Sequence, residues 1–142
     1  MCGIAAIFKH RPLPDSDELI RRMTDRMQHR GPDADDHYVD ERVALGHRRL
    51  AIIDLSELGC QPMWDVTGRY AVVYNGEIYN YKELKAELPD YPFRSESDTE
   101  VLLAGFVAWG TAMFTRLNGI FAFTLYDKQE GRMYVVRDRF GI

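Results

Sequence analysis

An α+β domain is the fold class this sequence predicts, and three observations carry the prediction. Short apolar runs bounded by turn residues recur along the chain, as strands do. Two helical patterns, at residues 81–88 and from Ser97 onward, stand next to each other instead of alternating regularly with strands. The last two apolar runs are joined by the short loop 127–131, the mark of a β-hairpin and so of antiparallel pairing.

Each element has its own warrant. Residues 2–8 are small, apolar or β-branched and read as a buried strand. A basic, proline-bearing turn follows, and Asp15 with Glu18 resembles a capping pair for a helix whose Leu19, Ile20, Met23 and Met27 form one core-facing stripe. Gly31 and Pro32 end that helix, and residues 33–36 read as an acidic loop. Residues 43–47 and 50–53 read as successive strand segments separated by Arg48 and Arg49, and residues 54–68 as a long loop holding Cys60, an incidental thiol. Residues 70–74 return to strand character and run into Asn75, Gly76 and Glu77. The helix at 81–88 is capped by Asn80, and Ser97-Asp98-Thr99-Glu100 matches a full capping box for a helix carrying Val101, Leu102, Leu103, Phe106 and Val107. The hairpin pairs residues 120–126 with 133–137.

Bulk properties exclude several classes. The 142 residues are 46% hydrophobic and 28% charged, the balance of a soluble globular chain long enough for one domain with its own core. A formal net charge of -4 gives no reason to expect nucleic acid as a partner. Two cysteines make no disulfide framework, the N-terminus lacks signal-peptide character, and no apolar run reaches membrane-spanning length. An intracellular, cytoplasmic chain with free thiols and no membrane partner is expected. His29, His37 and His47 with Cys2 match none of the short ligand spacings of structural zinc, and no phosphate-cradling glycine loop occurs. No metal and no cofactor are expected in this chain.

A few residues could carry chemistry. Cys2 becomes terminal if Met1 is removed, and it would then hold its own base, because an α-amino group of pKa roughly 7.7–8.0 is partly neutral at neutral pH. A small buried hydrophobe at a strand start is the alternative. Asn75 and the Gly76 N–H could form an oxyanion hole, or Asn-Gly could be a plain hairpin turn. Arg49 offers a planar fork to a carboxylate, or is a solvated surface charge. Asp98 could bind an ammonium, or only complement its helix dipole, and Glu77 faces the same choice.

Six blocks then occur in order: Met1-Cys2-Gly3-Ile4; Arg30-Gly31-Pro32-Asp33; Gly46-His47-Arg48-Arg49-Leu50; Tyr74-Asn75-Gly76-Glu77-Ile78-Tyr79-Asn80; Ser97-Asp98-Thr99-Glu100; and Arg137-Asp138-Arg139-Phe140-Gly141. Together they resemble the class II glutamine amidotransferases, and residues 49–54 with Gln61-Pro62 resemble the N-terminal glutaminase domain of asparagine synthetases in particular. The resemblance implies an N-terminal nucleophile hydrolase fold, a four-layer αββα sandwich, over residues 1–142. It implies that Cys2 attacks the side-chain amide of L-glutamine and that Asn75 and Gly76 hold the oxyanion. Arg49 would clamp the α-carboxylate, Asp98 and Glu77 the α-ammonium, and residues 30–33 would form a supporting loop.

Family members continue past Ile142, so a chain truncated inside the domain is expected, with the synthetase domain that accepts the ammonia, and its ATP and magnesium, absent. A truncated sheet would expose an edge that favours self-association into a homo-oligomer. Two alternatives stay open: a glutamine-binding module without turnover if Met1 is retained, and an inactive fragment if the shortened fold is incompetent.

Overall fold

The computed structural model describes residues 1–51 and 57–141. Its elements in chain order are β1 (Gly3–Phe8), α1 (Ser16–Asp25), β2 (Ala34–Val39), β3 (Val43–Arg49), a 3₁₀ turn (Glu57–Gly59), β4 (Met63–Trp64), β5 (Tyr70–Ile78), α2 (Tyr81–Ala86), α3 (Asp98–Trp109), a second 3₁₀ turn (Gly110–Thr115), β6 (Gly119–Asp127) and β7 (Arg132–Arg137). The strands form two antiparallel sheets, one ordered β1-β3-β2 and the other β4-β5-β6-β7.

Strand alternation builds the layers. On β3, Val43 and Leu45 meet Ala71, Val73 and Tyr126 of the second sheet, with Ile4, Ala6 and Phe8 of β1 alongside. The opposite faces of the same strands, through Ala5 and Ala44, pack against Ile20 of α1. On β5 the even-numbered residues Val72, Tyr74 and Ile78 turn the other way and meet Val101, Leu102, Leu103 and Phe106 of α3. Three apolar interfaces therefore separate four layers: α1, the first sheet, the second sheet, and α2 with α3. α3 buries its residues from Asp98 to Phe106, which is why its apolar pattern is broad and not a stripe.

Several local expectations are corrected. The helical stripe of α1 is set by Ile20 and Thr24, both fully buried, while Leu19 and Met23 face solvent. Asp15 precedes α1 in a left-handed conformation and makes no side-chain cap, so the Asp15/Glu18 pair is no capping pair. Residues 34–36 are not loop but the start of β2, whose Asp35 lies beside Arg48 of β3 at 3.3 Å. β3 is one strand that includes both arginines; of the segment predicted at 50–53, Leu50 and Ala51 lie outside any strand and residues 52 and 53 lie outside the described residues. Asn80 caps nothing: its side chain donates to Arg116 O at 2.9 Å and accepts from Asn118 N at 2.9 Å, tying the end of β5 to the start of β6.

The capping box of α3 is half formed. Ser97 Oγ accepts from Glu100 N at 3.2 Å, but the Glu100 carboxylate turns to Arg94 N, Ser95 N and Ser95 Oγ at 2.7–3.1 Å. Those donors pin the approach to the helix, so the position of Asp98 is held from both sides of Ser97. The β6–β7 hairpin forms as predicted, with Gly131 at φ 60° in its loop. β7 is an edge strand, and its Val135 is 74% exposed.

Candidate active site

Antiparallel pairing brings the chemistry to one end of the sandwich. Gly3 at the start of β1 pairs with Arg48 near the end of β3, and Ile78 at the end of β5 pairs with Gly119 at the start of β6. A cavity of about 190 Å³ opens there, and Cys2, Arg49, Asn75, Gly76, Glu77 and Asp98 all line it. All six residues singled out from the sequence therefore converge, although they span 97 positions of the chain and four separate segments.

The thiol is held by backbone. Leu50 N donates to Cys2 Sγ at 3.3 Å and Sγ points back at Leu50 O at 3.6 Å, while Arg30 Nε donates to the Cys2 carbonyl at 3.1 Å. The 30–33 segment braces the same corner. A side chain at Gly31 would strike the Arg48 carbonyl at 2.4 Å, Asp33 N donates to Arg49 O at 3.0 Å, and Asp33 Oδ2 accepts from Ala51 N at 2.9 Å. Gly31 is needed because two backbones touch there.

Alternation along β3 decides which arginine reaches the cavity. Arg48 turns toward α1, bonding Thr24 O at 3.2 Å and pairing with Asp25 and Asp35 at 2.5 and 3.3 Å. Arg49 turns to the cavity and is buried, with Nη1 donating to Cys60 Sγ at 3.5 Å, so Cys60 sits against a side chain that lines the cavity.

The same logic applies to β5. Asn75 and Gly76 are no hairpin turn and no strand end, since β5 runs on to Ile78. β4 is only two residues long and pairs no further than Met63 with Val72, so the next backbone N–H groups on that side of β5 lack a strand partner. The Tyr74 N–H goes to Gln61 Oε1 at 2.6 Å and the Ile78 N–H to Asp98 Oδ2 at 3.1 Å. Alternation puts the Gly76 N–H on the same side, between them. A side chain at Gly76 would meet Ile120 O at 2.2 Å, so β6 is packed too close for any other residue. Asn75 makes no side-chain hydrogen bond among the described residues, and its Oδ1 is buried without a partner. The half-buried Asn75 carboxamide lines the cavity without a hydrogen bond that fixes it elsewhere among the described residues.

Asp98 is buried and receives only neutral donors: Tyr74 Oη at 2.6 Å, Ile78 N at 3.1 Å, and backbone groups of the first turn of α3. Burial pushes its carboxyl pKa up and these donors oppose the rise. Among the described residues no cation pairs with it, so the buried carboxyl lines the cavity without a cationic partner there. Glu77 is exposed at the rim. The cavity lining thus combines a thiol, an arginine, a buried carboxyl and an asparagine carboxamide. Among the described residues no group of three or more His, Cys, Asp or Glu is arranged to hold a metal ion.

Sequence reasoning passed over His47, Gln61, Tyr74, Ser97 and Thr99, which also line the cavity. His47, Tyr74, Ser97 and Thr99 lie inside the six ordered motifs and Gln61 in the Gln61-Pro62 pair, yet none of them is given a place at the site by the motifs alone. Gln61 has no local signal, because its role is to bridge Tyr74 N and, at 3.3 Å, Thr99 Oγ1. His47 is 1% exposed, its Nε2 has no partner, and burial pushes its pKa down to about 4, with the hydrogen bond to the Tyr74 backbone opposing and the Arg49 charge adding to the fall. The folded state therefore keeps His47 neutral while an unfolded chain takes up its proton near pH 6.5. Its contribution to stability is complete above about pH 6.5 and is lost as the pH falls toward 4, by up to roughly 3 kcal/mol. Denaturant titrations at pH 7 and pH 4.5 will show that loss, and His47→Gln will flatten it; an equal slope in the variant would place the loss elsewhere.

The comparisons with known proteins agree with this geometry. A family described as "Glutamine amidotransferase domain" matches residues 1–142. Asparagine synthetase [glutamine-hydrolyzing] 1 of Bacillus subtilis is 44% identical across all of this chain, which covers 23% of that protein. Asparagine synthetase B [glutamine-hydrolyzing] of Escherichia coli is 37% identical, again across the whole chain and 26% of that protein. Amidase chry2 of Gibberella zeae is 39% identical, with 23% of it covered. Among solved structures, glutamine phosphoribosylpyrophosphate amidotransferase from B. subtilis, complexed with ADP and GMP, superimposes with a TM-score of 0.59 at 26% identity, over 72% of this chain and 24% of that one. The chain spans about a quarter of the length of these relatives. No helix among the described residues is long and apolar enough to cross a membrane. With the four-layer αββα sandwich, the convergent cavity and a match over its full length, the chain belongs to the glutamine amidotransferase domain family, with the N-terminal nucleophile hydrolase fold.

Proposed function

We propose that residues 1–142 act as the glutaminase part of an asparagine synthetase-like enzyme, hydrolysing L-glutamine to glutamate and ammonia. Arg49 takes the α-carboxylate of glutamine, and Asp98 with Glu77 takes the α-ammonium. Holding that end fixes the side-chain amide against Cys2, a positioning effect of the kind that effective molarity measures. Once Met1 is removed, the Cys2 α-amine accepts the thiol proton as sulfur bonds to the amide carbon. The carbonyl electron pair moves to oxygen, where the Asn75 carboxamide and the Gly76 N–H receive it. The amine returns its proton to nitrogen, the C–N bond breaks and ammonia leaves. Water then adds to the thioester, the C–S bond breaks, and glutamate and the thiol are regenerated.

The observation that carries this reading is the meeting of a backbone-held thiol, an uncommitted carboxamide, an arginine and an unpaired buried carboxylate around one cavity. The ammonia is used by an ATP- and magnesium-dependent synthetase domain to amidate aspartate, in a cytoplasmic enzyme. No cofactor is needed for the glutaminase step, since neither end of glutamine requires one.

Removal of Met1 is the condition on which turnover depends. Intact-mass measurement alongside an assay for glutamate tests it: material lacking Met1 will turn over, and material retaining Met1 will bind glutamine without releasing ammonia. Equal turnover by both forms would sink the α-amine as base. Self-association through the exposed β7 edge belongs to the same reading, and light scattering over a concentration series will show growing mass; a monodisperse monomer throughout would refute it.

A further inference from the structure

Tyr74 lies in the strand that carries the oxyanion donors, yet alternation turns its ring away from Asn75 and toward α3. It is pinned at both ends. Its backbone N–H donates to Gln61 Oε1 at 2.6 Å, and Gln61 Nε2 donates in turn to Thr99 Oγ1, beside Asp98. Its hydroxyl donates to Asp98 Oδ2 at 2.6 Å, and the Ile78 N–H donates to the same oxygen at 3.1 Å. Tyrosine and aspartate are both buried. A hydroxyl is an unusual choice of partner for a buried carboxylate, which more often pairs with a cation. It stabilises the anion with a dipole and leaves the negative charge in place. Lysine or arginine there would cancel the charge and fill the space a ligand's ammonium needs.

We propose that Tyr74 is a positioning residue for substrate recognition, its hydroxyl holding the Asp98 carboxylate in the orientation and the ionised state that receive the α-ammonium of glutamine. The inference rests on the glutamine reading of this cavity. The titratable groups that share the cavity with Asp98 are Tyr74 and Glu77 from β5, Tyr79 just after it, His47 and Arg49 from β3, Cys2 and Met1. Of these, Tyr74 is the side chain bonded to the carboxylate, and its bond is the largest influence opposing the upward push of burial on the Asp98 proton affinity.

Tyr74→Phe keeps the ring and deletes one hydrogen bond. In the full protein it will raise the KM for glutamine roughly tenfold or more with kcat little changed, and move the acidic limb of kcat/KM upward by about one pH unit. Glutaramate, which is glutamine without the α-amine, supplies the control: wild type and variant will hydrolyse it with equal KM. A double-mutant cycle gives a second readout, since Tyr74→Phe will add nothing to Asp98→Asn. Equal losses on both substrates, an unmoved acidic limb or additive effects with Asp98→Asn would overturn the inference and leave Tyr74 a packing residue. Those results in an enzyme whose turnover still requires Cys2 defeat the Tyr74 assignment alone; glutamate release that does not require Cys2 defeats the cavity's reading and this inference with it.

Discussion

Replacing Cys2 with alanine will reduce glutamate release to the uncatalysed background, a loss on the order of 10⁶ if it matches removal of the nucleophile from other covalent hydrolases. The size follows from the chemistry. No other thiol, hydroxyl or amine lies where Cys2 does, and without covalent attack the remaining groups can only bind and polarise the amide. The fold will survive, because among the described residues the hydrogen bonds of Sγ go to the Leu50 backbone and Cys2 is no part of the three apolar interfaces. On the proposed reading glutamine binding will survive as well, since Arg49 and Asp98 stay in the cavity lining. A titration calorimetry experiment with Cys2→Ala will therefore show binding without turnover. Release that persists in this variant would remove Cys2 from the mechanism.

Asn75→Ala will lower kcat by about 10²–10³ with little change in KM, the signature of a donor used only when negative charge develops on the amide oxygen. The structure separates this effect from one on stability. Asn75 makes no side-chain hydrogen bond among the described residues and its Oδ1 is buried without a partner, so truncation removes an unsatisfied group and not an interaction. The melting temperature of the variant will stay near that of the wild type. A KM that rises while kcat holds would move Asn75 from the oxyanion to ground-state binding.

The sequence made much of this legible. The α+β class, α3 and the β6–β7 hairpin are readable from patterning, because they depend on local chemistry: Ser97 caps within its own turn, and Gly131 shapes its own loop; the six candidate residues stand out only through the resemblance of the ordered motifs, and the structure brings them around one cavity. The errors share a cause. The acidic run at 34–36 reads as loop because charge opposes burial, yet it is strand, with Asp35 placed beside Arg48 from the next strand. Asn-Gly reads as a turn because that dipeptide is common in turns, yet β6 packs against Gly76 so closely that the strand continues there. Leu19 and Met23 read as core because they are apolar, yet the face that α1 buries is set by Ile20 and Thr24.

By itself the sequence determined which residue types its ordered motifs supply and that Cys2 follows Met1 directly. Only the tertiary structure decided which of two adjacent arginines enters the cavity, why the Gly76 N–H is left without a strand partner, and which donors hold the Asp98 carboxyl. The physical reason is that each of these depends on a partner distant in sequence: the first sheet's alternation for Arg49, the shortness of β4 for Gly76, and Tyr74, 24 residues before it, for Asp98. Side-chain chemistry is written locally, whereas direction, hydrogen-bond satisfaction and desolvation exist only once the layers have packed.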